Sequence, residues 1–453
     1  MKTSSSPGMR QHAAQMHALA VVRRDIRSRD RASRSKYLLE FNRAFRTYDA
    51  PLNSEELNTR LASADIILLG DYHALPACQQ FAAQVIEQLA GERPVVLGVE
   101  AVLSRDQQVL DLWWRREISE QVLRQQLRFD HDWGYEWAPF YNLLITAREH
   151  ADGIYGLDCM PRHDLRRIRA RDRHAAGKIC AIRERHPDAR LLVLFGESHM
   201  APEHLPALVK GALPGERALT VLQNIDAVYW QAMREEADAV SLAPDAICVF
   251  NAAPLEKYES YRLCLEKWTG DDQPDFSPAV HNLILSLARS LGFRLDSPHN
   301  GTQPKRLADS LPEVVHANDS FLASLPDRDR ALVGERGSVY ISETNTIIVR
   351  EFEMAAAAAA AARFLLHACR GFQPGQPPRQ VEDALAHFGA RLMCPGNLEE
   401  NFINSEGEYL YRAYLEGRIS RAAVRKLFLV DCEESLLRQF AVPRTPGNGS
   451  HRS

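Results

Sequence analysis

The sequence predicts an α/β fold: a mostly parallel sheet flanked by helices, with internally duplicated β-loop-α units and an additional mainly helical C-terminal region. Three observations predict it. Unbroken apolar runs such as Ile66–Leu69, Val95–Val99 and Leu191–Phe195 suit parallel strands buried on both faces. Between them lie longer stretches with apolar residues at helical spacing. Finally, IILLGDYHALP (Ile66–Pro76) recurs as LVLFGESHMAP (Leu192–Pro202) at a constant offset of 126 residues.

Taken in order, residues 1–35 are rich in Arg, Ser and His without periodicity and are expected to form a disordered basic arm. Tyr37–Ser63 reads as largely helical. The α/β region, 36–268, then begins with strand Ile66–Leu69 and helix Leu75–Leu89. Gly91–Pro94 turns the chain into Val95–Val99, a strand ending at Glu100. One or two helices over Arg105–Leu127 precede an aromatic-rich loop, Phe129–Tyr141, and a helix running to His150. Strand Ile154–Leu157 ends at Asp158, and a basic helix, Leu165–Arg185, leads to strand Leu191–Phe195. A helix after His199 and strands Leu219–Gln223 and Ala246–Phe250 complete the alternation. Composition shifts at Thr269–Ser277 (TGDDQPDFS), an expected linker. Beyond it, 278–442 reads as a mainly helical domain of unassigned role. It has one hairpin over Ser338–Val349, turning near Glu343–Asn345, and a packed helix through Ala355–Ala362. The Pro443–Gly447 tail is expected to be frayed.

With 453 residues the chain has room for two to three domains of roughly 150 residues each. Its net charge of -4 gives nucleic acid no electrostatic foothold. No apolar run reaches the roughly 18 residues a spanning helix needs. Ala18–Val22 is too short for a signal-peptide core, so a cytoplasmic location is expected. The eight cysteines (78, 159, 180, 248, 264, 369, 394 and 432) contain no C-x-x-C pair and suit scattered buried thiols. The expected partner is a small-molecule ligand or substrate, with a homodimer as one assembly.

The duplicated motif carries the chemistry. Matched pairs are Gly70 and Gly196, Asp71 and Glu197, His73 and His199, and Pro76 and Pro202. Each acid and His falls in the loop between a strand end and a helix start, where open α/β sheets place their ligands. Pro fits the first helical turn, and the helix N-terminus favours a neutral imidazole. Glu100 closes its strand at the same edge. Two histidines with Asp71, Glu100 and Glu197 suit a divalent metal. They equally suit metal-free hydrolysis with His as general base. Arg171, in the basic helix, is a candidate to hold a carboxylate or stabilise an oxyanion. Trp133, Tyr135, Trp137, Phe140 and Tyr141 are an aromatic wall or core packing. Bland readings stand beside these: a capping or salt-bridge role for Glu100, a loop or capping role for each His, and an inert thiol at Cys78. His281, His299, His316, His367 and His387 read as structural.

The G-x-x-H pair, the strand-terminal Glu100, the Arg171–Asp172 helix and the second G-[DE]-x-H resemble the ChaN-like haem-binding uptake proteins. These belong to the Tiki superfamily, with the erythromycin esterases and the TraB/Tiki proteins. The resemblance covers Ala64–Ile225, and RDRHAAGKI is similar to that family's R-D-x-x-M-A segment, with Ala175 and Ala176 in place of Met-Ala. It implies haem in this cleft with His73 near the iron and Tyr72, Tyr135 or Tyr141 as candidate axial ligand. Its hydrolase relatives imply His73 as base, Asp71 or Glu100 as its partner, and His199 with Glu197 as the opposite wall. The metal-using relatives imply Asp71, His73, Glu100, Glu197 and His199 as ligands. Three features depart from the haem-uptake pattern: no Cys precedes Cys78 to anchor a lipoprotein leader, the C-terminal half has no counterpart, and Asp71 stands where Glu is commoner.

Overall fold

The computed structural model describes residues 7–30, 36–162, 167–235, 237–269, 274–293, 310–371, 378–395 and 404–429. The expected frayed tail, His299, Cys432 and the middle of the 269–277 linker lie outside the described residues. The chain divides into two compact units, residues 24–268 and residues 1–23 with 269–453.

The first unit is built on an eight-stranded sheet. Its strands are β1 (Ala50–Leu52), β2 (Ile66–Asp71), β3 (Val95–Leu103), β4 (Gly153–Asp158), β5 (Arg190–Gly196), β6 (Ala218–Gln223), β7 (Ala239–Ala243) and β8 (Ala246–Val249). Their spatial order is β1-β7-β8-β6-β2-β5-β3-β4, parallel from β8 to β4, with antiparallel β7 and β1 at one edge. Two short strands, β1 and its neighbour β7, escape sequence reading, because three to five residues carry too little periodicity to mark a strand.

Every residue of β2 is buried, as a central parallel strand requires. It sends Ile67 and Leu69 into the layer under helix Pro76–Leu89, and Ile66 and Leu68 into the opposite layer with Phe195 and Ile179. Pro76 occupies the first turn of its helix as the sequence suggests. Pro202 does not. The chain after β5 winds first into a 3-10 turn, Glu197–Met200, and the helix begins only at Leu205, where Pro206 takes the first-turn position. The expected aromatic loop is also divided. Phe129–Asp132 and Trp137–His150 are helical, and Trp137 and Phe140 are buried in the core.

In the second unit, Ser277–Leu291, Met354–Cys369, Arg379–Met393, Ser405–Leu415 and Arg421–Leu429 are helices. A small sheet of order β10-β11-β9 joins β9 (Glu313–His316), β10 (Ser338–Ile341) and β11 (Thr346–Val349), and β10 with β11 forms the expected hairpin. Where a loose arm was expected, Pro7–Arg29 is a helix, its residues up to Arg23 in this unit and the rest in the first. Its Ala14, Ala18, Val22 and Ile26 recur every four residues and are buried, an apolar stripe hidden from inspection by the surrounding arginines. Ala355–Ala362 is buried along its whole length, because small side chains let helix Arg379–Met393 approach closely. A Cβ on Gly389 would stand 2.5 Å from the Ala362 methyl.

That contact predicts a volume test. Gly389→Ala should lower the urea-unfolding free energy by about 1–3 kcal/mol through overpacking. Gly334→Ala, where an added methyl meets nothing within 4 Å, should leave it unchanged or slightly raised. Equal effects at the two positions would contradict the packing account.

Candidate functional site

Three neighbouring strands, β2, β5 and β3, bring the chemistry-bearing residues to one edge of the sheet. The motif offset is 126 residues, but β2 pairs with β5 at an offset of 125, so Gly70 faces Phe195 and Asp71 faces Gly196. The second motif therefore sits one residue out of register with the first, and its acid and histidine enter different surroundings.

Glu100 is the centre. Its side chain is 4% exposed, accepts a hydrogen bond from the Gly196 N–H on Oε2, and accepts one from Arg171 Nη2 on Oε1 at 2.5 Å. Arg171 is shared: Nε and Nη2 each donate to Asp158 at 2.8 Å. Arg162 completes the network, donating to Asp158 Oδ2 at 2.7 Å and to the backbone carbonyls of Glu100 and Ala101. Burial alone would raise the Glu100 pKa, but His73, Arg171, His199 and the Gly196 N–H outweigh it and hold the carboxyl at about 2.

The two histidines face this carboxylate from opposite sides. His73 Nε2 lies 3.6 Å from Oε2, and His199 Nε2 lies 3.8 Å from Oε1. Each ring is anchored through Nδ1 to a second acid. His73 bonds Asp71 at 2.7 Å, and Gln79 Nε2 donates to the other Asp71 oxygen at 2.5 Å. His199 bonds Asp172, which also accepts from the Tyr37 hydroxyl at 2.8 Å. With Nδ1–H donated to Asp71, a neutral His73 would aim a lone pair at an anionic oxygen. A proton on Nε2 removes that repulsion. Accordingly, although burial works against charge on the ring, Asp71 and Glu100 prevail and the His73 pKa lies above the ordinary 6.5. The helix terminus does not set the direction of the shift at His73, because two carboxylates in contact outweigh a partial charge about a turn away.

The duplicated acids part company. Asp71 orients its own histidine, whereas Glu197 turns away and pairs with Lys257 Nζ at 2.7 Å. Lys257, buried in helix Pro254–Thr269, also donates to Asn224 O and lies 4.7 Å from the Tyr72 ring centre. Among the described residues no group of three or more His, Cys, Asp or Glu side chains is arranged to hold a metal ion. The reason is visible in the hydrogen bonds, since Asp71, Glu100 and Glu197 are each committed to a nitrogen partner. Arg171 is likewise buried and bonded through Nε and Nη2 to Glu100 and Asp158.

Of the aromatic candidates, Trp133 and Tyr135 approach His73, with ring centroids at 4.4 and 5.2 Å. Trp137 and Tyr141 stack on each other in the core. Tyr72 lies against Tyr258 and Tyr261, and burial pushes its hydroxyl pKa well above the ordinary 10.0, as it does for Tyr135. Asp71, His73, Glu100, Trp133 and Phe140 help to line a cavity of about 10 Å³, the space of roughly one water. Sequence reading missed Tyr37, Gln79, Arg162 and Lys257, whose roles depend on tertiary placement. Asp158 carried a signal, as a strand-terminal acid like Glu100.

Residues 57–172 match the family model described as haem-binding uptake, Tiki superfamily, ChaN. That stretch holds Asp71, His73, Glu100, Asp158, Arg171 and Asp172, and His199 and Lys257 lie beyond it. A solved structure described as cofacial heme binding to ChaN of Campylobacter jejuni is similar at 15% identity and a TM-score of 0.30, covering 38% of this chain and 86% of that chain. No curated protein matches the chain. No helix among the described residues is long and apolar enough to cross a membrane.

Two pH effects follow. Glu100 has a lowered folded pKa, so its contribution to stability is present above the unfolded value of 4.5 and is lost as pH falls toward about 2. His73 has a raised folded pKa, so its contribution is present below 6.5 and is lost as pH rises through the folded value. Glu100→Gln should cost roughly 3 kcal/mol at neutral pH and flatten the acid limb. Asp71→Asn should lower the His73 titration midpoint, followed by NMR of the ring protons. A midpoint indifferent to Asp71 would refute the assignment.

Proposed function

We propose that this chain binds haem at the sheet edge, with His73 Nε2 as the iron-facing donor and Trp133 and Tyr135 as the flat apolar surface beside it. The observation that carries this reading is the setting of His73. Its Nδ1 is fixed by Asp71, while the ring keeps 18% of its surface exposed beside two aromatic side chains. A carboxylate behind a ligating imidazole orients the ring and raises its basicity, the arrangement that metal-binding histidines use. The match of residues 57–172 to a haem-binding uptake family supports the same ligand. His73 is a better donor here than Tyr72 or Tyr135, whose burial disfavours the phenolate an iron ligand requires. Bound haem would supply an iron centre for ligand exchange or electron transfer. The chain's part is to present the imidazole, hold its orientation through Asp71 and Gln79, and cover it with aromatic rings. The cavity, about 10 Å³, is far below the roughly 300 Å³ of ordinary ligand sites, so a macrocycle needs the Trp133–Glu136 segment to move.

A second reading is favoured by that same cavity. Space for about one water, lined by His73 and Glu100, suits a hydrolase of an ester or amide with His73 as general base. In that chemistry neutral His73 takes the water proton, Asp71 steadies the imidazolium, and Glu100 with His199 forms the opposite wall. Arg171 keeps Glu100 ionised and contributes through it. The scattered cysteines, seven of them free among the described residues, suit the reducing cytoplasm as the place of action.

Haemin titration followed by visible absorbance separates the readings. The wild-type protein should give a saturable Soret band near 1:1 stoichiometry, weakened at least about ten-fold in affinity in His73→Ala. Affinity should rise with pH as the ring loses its proton through a pKa above 6.5, because iron needs the Nε2 lone pair. A spectrum indifferent to His73 would sink the haem assignment. Ester and amide turnover that falls about 100-fold or more in His73→Ala would then establish the hydrolase.

A further inference from the structure

We propose that Trp268 is the access-determining residue of the His73 site, a latch that holds the aromatic roof shut. The proposal rests on the reading above only in taking His73 as the group a ligand must reach. The roof is the short segment carrying Trp133 and Tyr135; its Trp133 and Gly134 N–H groups donate to the Phe129 carbonyl, and two side chains from elsewhere hold it. At one end, Arg162 Nη1 donates to the Asp132 carbonyl at 3.0 Å while its guanidinium lies 4.8 Å from the Trp133 ring centre. Arg162 has only 7% of its side chain exposed and is tied to Asp158, so this hold belongs to the buried charge network.

The other hold is different in kind. The Trp268 indole, at the end of helix Pro254–Thr269, donates Nε1–H to the Gly134 carbonyl at 2.8 Å. Its ring meets Tyr135 edge-on at 5.1 Å and Tyr261 at 6.1 Å. Yet Trp268 is 43% exposed, so water competes for its hydrogen bond and its release costs little burial. The roof is shaped to receive the indole. Gly134 adopts φ +79, and a Cβ there would stand 3.2 Å from Trp268 Nε1. With the latch closed, the space beside His73 holds about one water. Release at the exposed hold frees Trp133 and Tyr135 to swing while Arg162 keeps the other end in place. A planar ligand then reaches the imidazole without disturbing Glu100.

The test is the reactivity of His73 toward diethyl pyrocarbonate above its pKa, where the ring is neutral, read by peptide mass spectrometry. His199, 3% exposed, is the control in the same digest. Trp268→Phe removes the hydrogen bond and keeps most of the ring contact. It should raise the His73 rate about five-fold, as expected for one net hydrogen bond. Trp268→Ala should raise it further, and Gly134→Ala, which crowds the indole from the other side, should also raise it. His199 should not change. An unchanged His73 rate in a folded Trp268→Ala protein, or a parallel rise at both histidines, would overturn the latch. If the alanine variant does not fold, the phenylalanine variant decides by the same criterion. Haemin association should quicken in the same order. Variants that expose His73 but bind no haemin would leave the latch standing and remove the haem reading.

Discussion

An ionised carboxylate taken out of water costs several kcal/mol unless it is paired and fully hydrogen-bonded, and Glu100 meets that condition with groups from separate elements. It takes the backbone N–H of Gly196 at the end of β5 and a guanidinium N–H from helix Ile168–Arg185. Through Arg171 and Arg162 it is tied to Asp158 at the end of β4. Glycine at 196 leaves room for this, since a Cβ there would lie 3.0 Å from Glu100 Oε2 and 3.1 Å from His73 Nε2 and would press on both. The local charges do not balance. Asp71, Glu100, Asp158 and Asp172 supply four carboxylates, against two guanidinium groups from Arg162 and Arg171. That excess of negative charge is why Asp71 and Glu100 lift the His73 pKa above 6.5 against the cost of burial, and why a cationic centre would be welcome beside it.

The duplication is one of sequence and strand placement more than of chemistry. A one-residue difference between motif offset and sheet register separates the two acids, and each half is completed by different outside groups. His73 draws on its own Asp71 and remains partly open. His199 draws on Asp172 and Tyr37, with His204 stacked on Tyr37 at 3.7 Å, and is closed. One histidine can therefore meet a ligand, while the other shapes the field that ligand experiences. Glu197, freed from the pair, supports Lys257, whose pKa rises because the nearby carboxylates Glu197 and Asp226 outweigh the cost of burial.

How much of this was legible follows from where each signal resides. Parallel strands buried on both faces announce themselves as unbroken apolar runs, so β2 to β6 and the sheet edge they share were readable. The acid–histidine loops and Glu100 were readable because strand-terminal position fixes them with few alternatives. What could not be read depends on strand order: β5 lies between β2 and β3, and nothing in a linear chain says so. Lys257 and Trp268, on a helix after the last strand, reach the site only because the sheet brings that helix back. The N-terminal helix was missed for another reason. Its apolar stripe uses three alanines or valines per two to three turns amid arginines, too faint for periodicity to outweigh composition.

The reach of the site is governed by a contrast in stiffness. The carboxylate–arginine network is buried and over-determined, so its members hold their geometry whatever binds. The aromatic roof is partly buried, and of the two outside side chains that hold it one is buried and one exposed, so it is the part with freedom to change. A water-sized cavity is what this arrangement shows closed, and a broad aromatic surface is what the same residues offer once parted. Haem binding and hydrolysis therefore ask different things of the same roof: the first needs it to open widely, the second needs it to close over water beside His73. The electrostatics around Glu100 serve either chemistry. On the two readings proposed above, the energy of lifting Trp133 and Tyr135 separates them, and the exposed Trp268 hold lies outside the buried network.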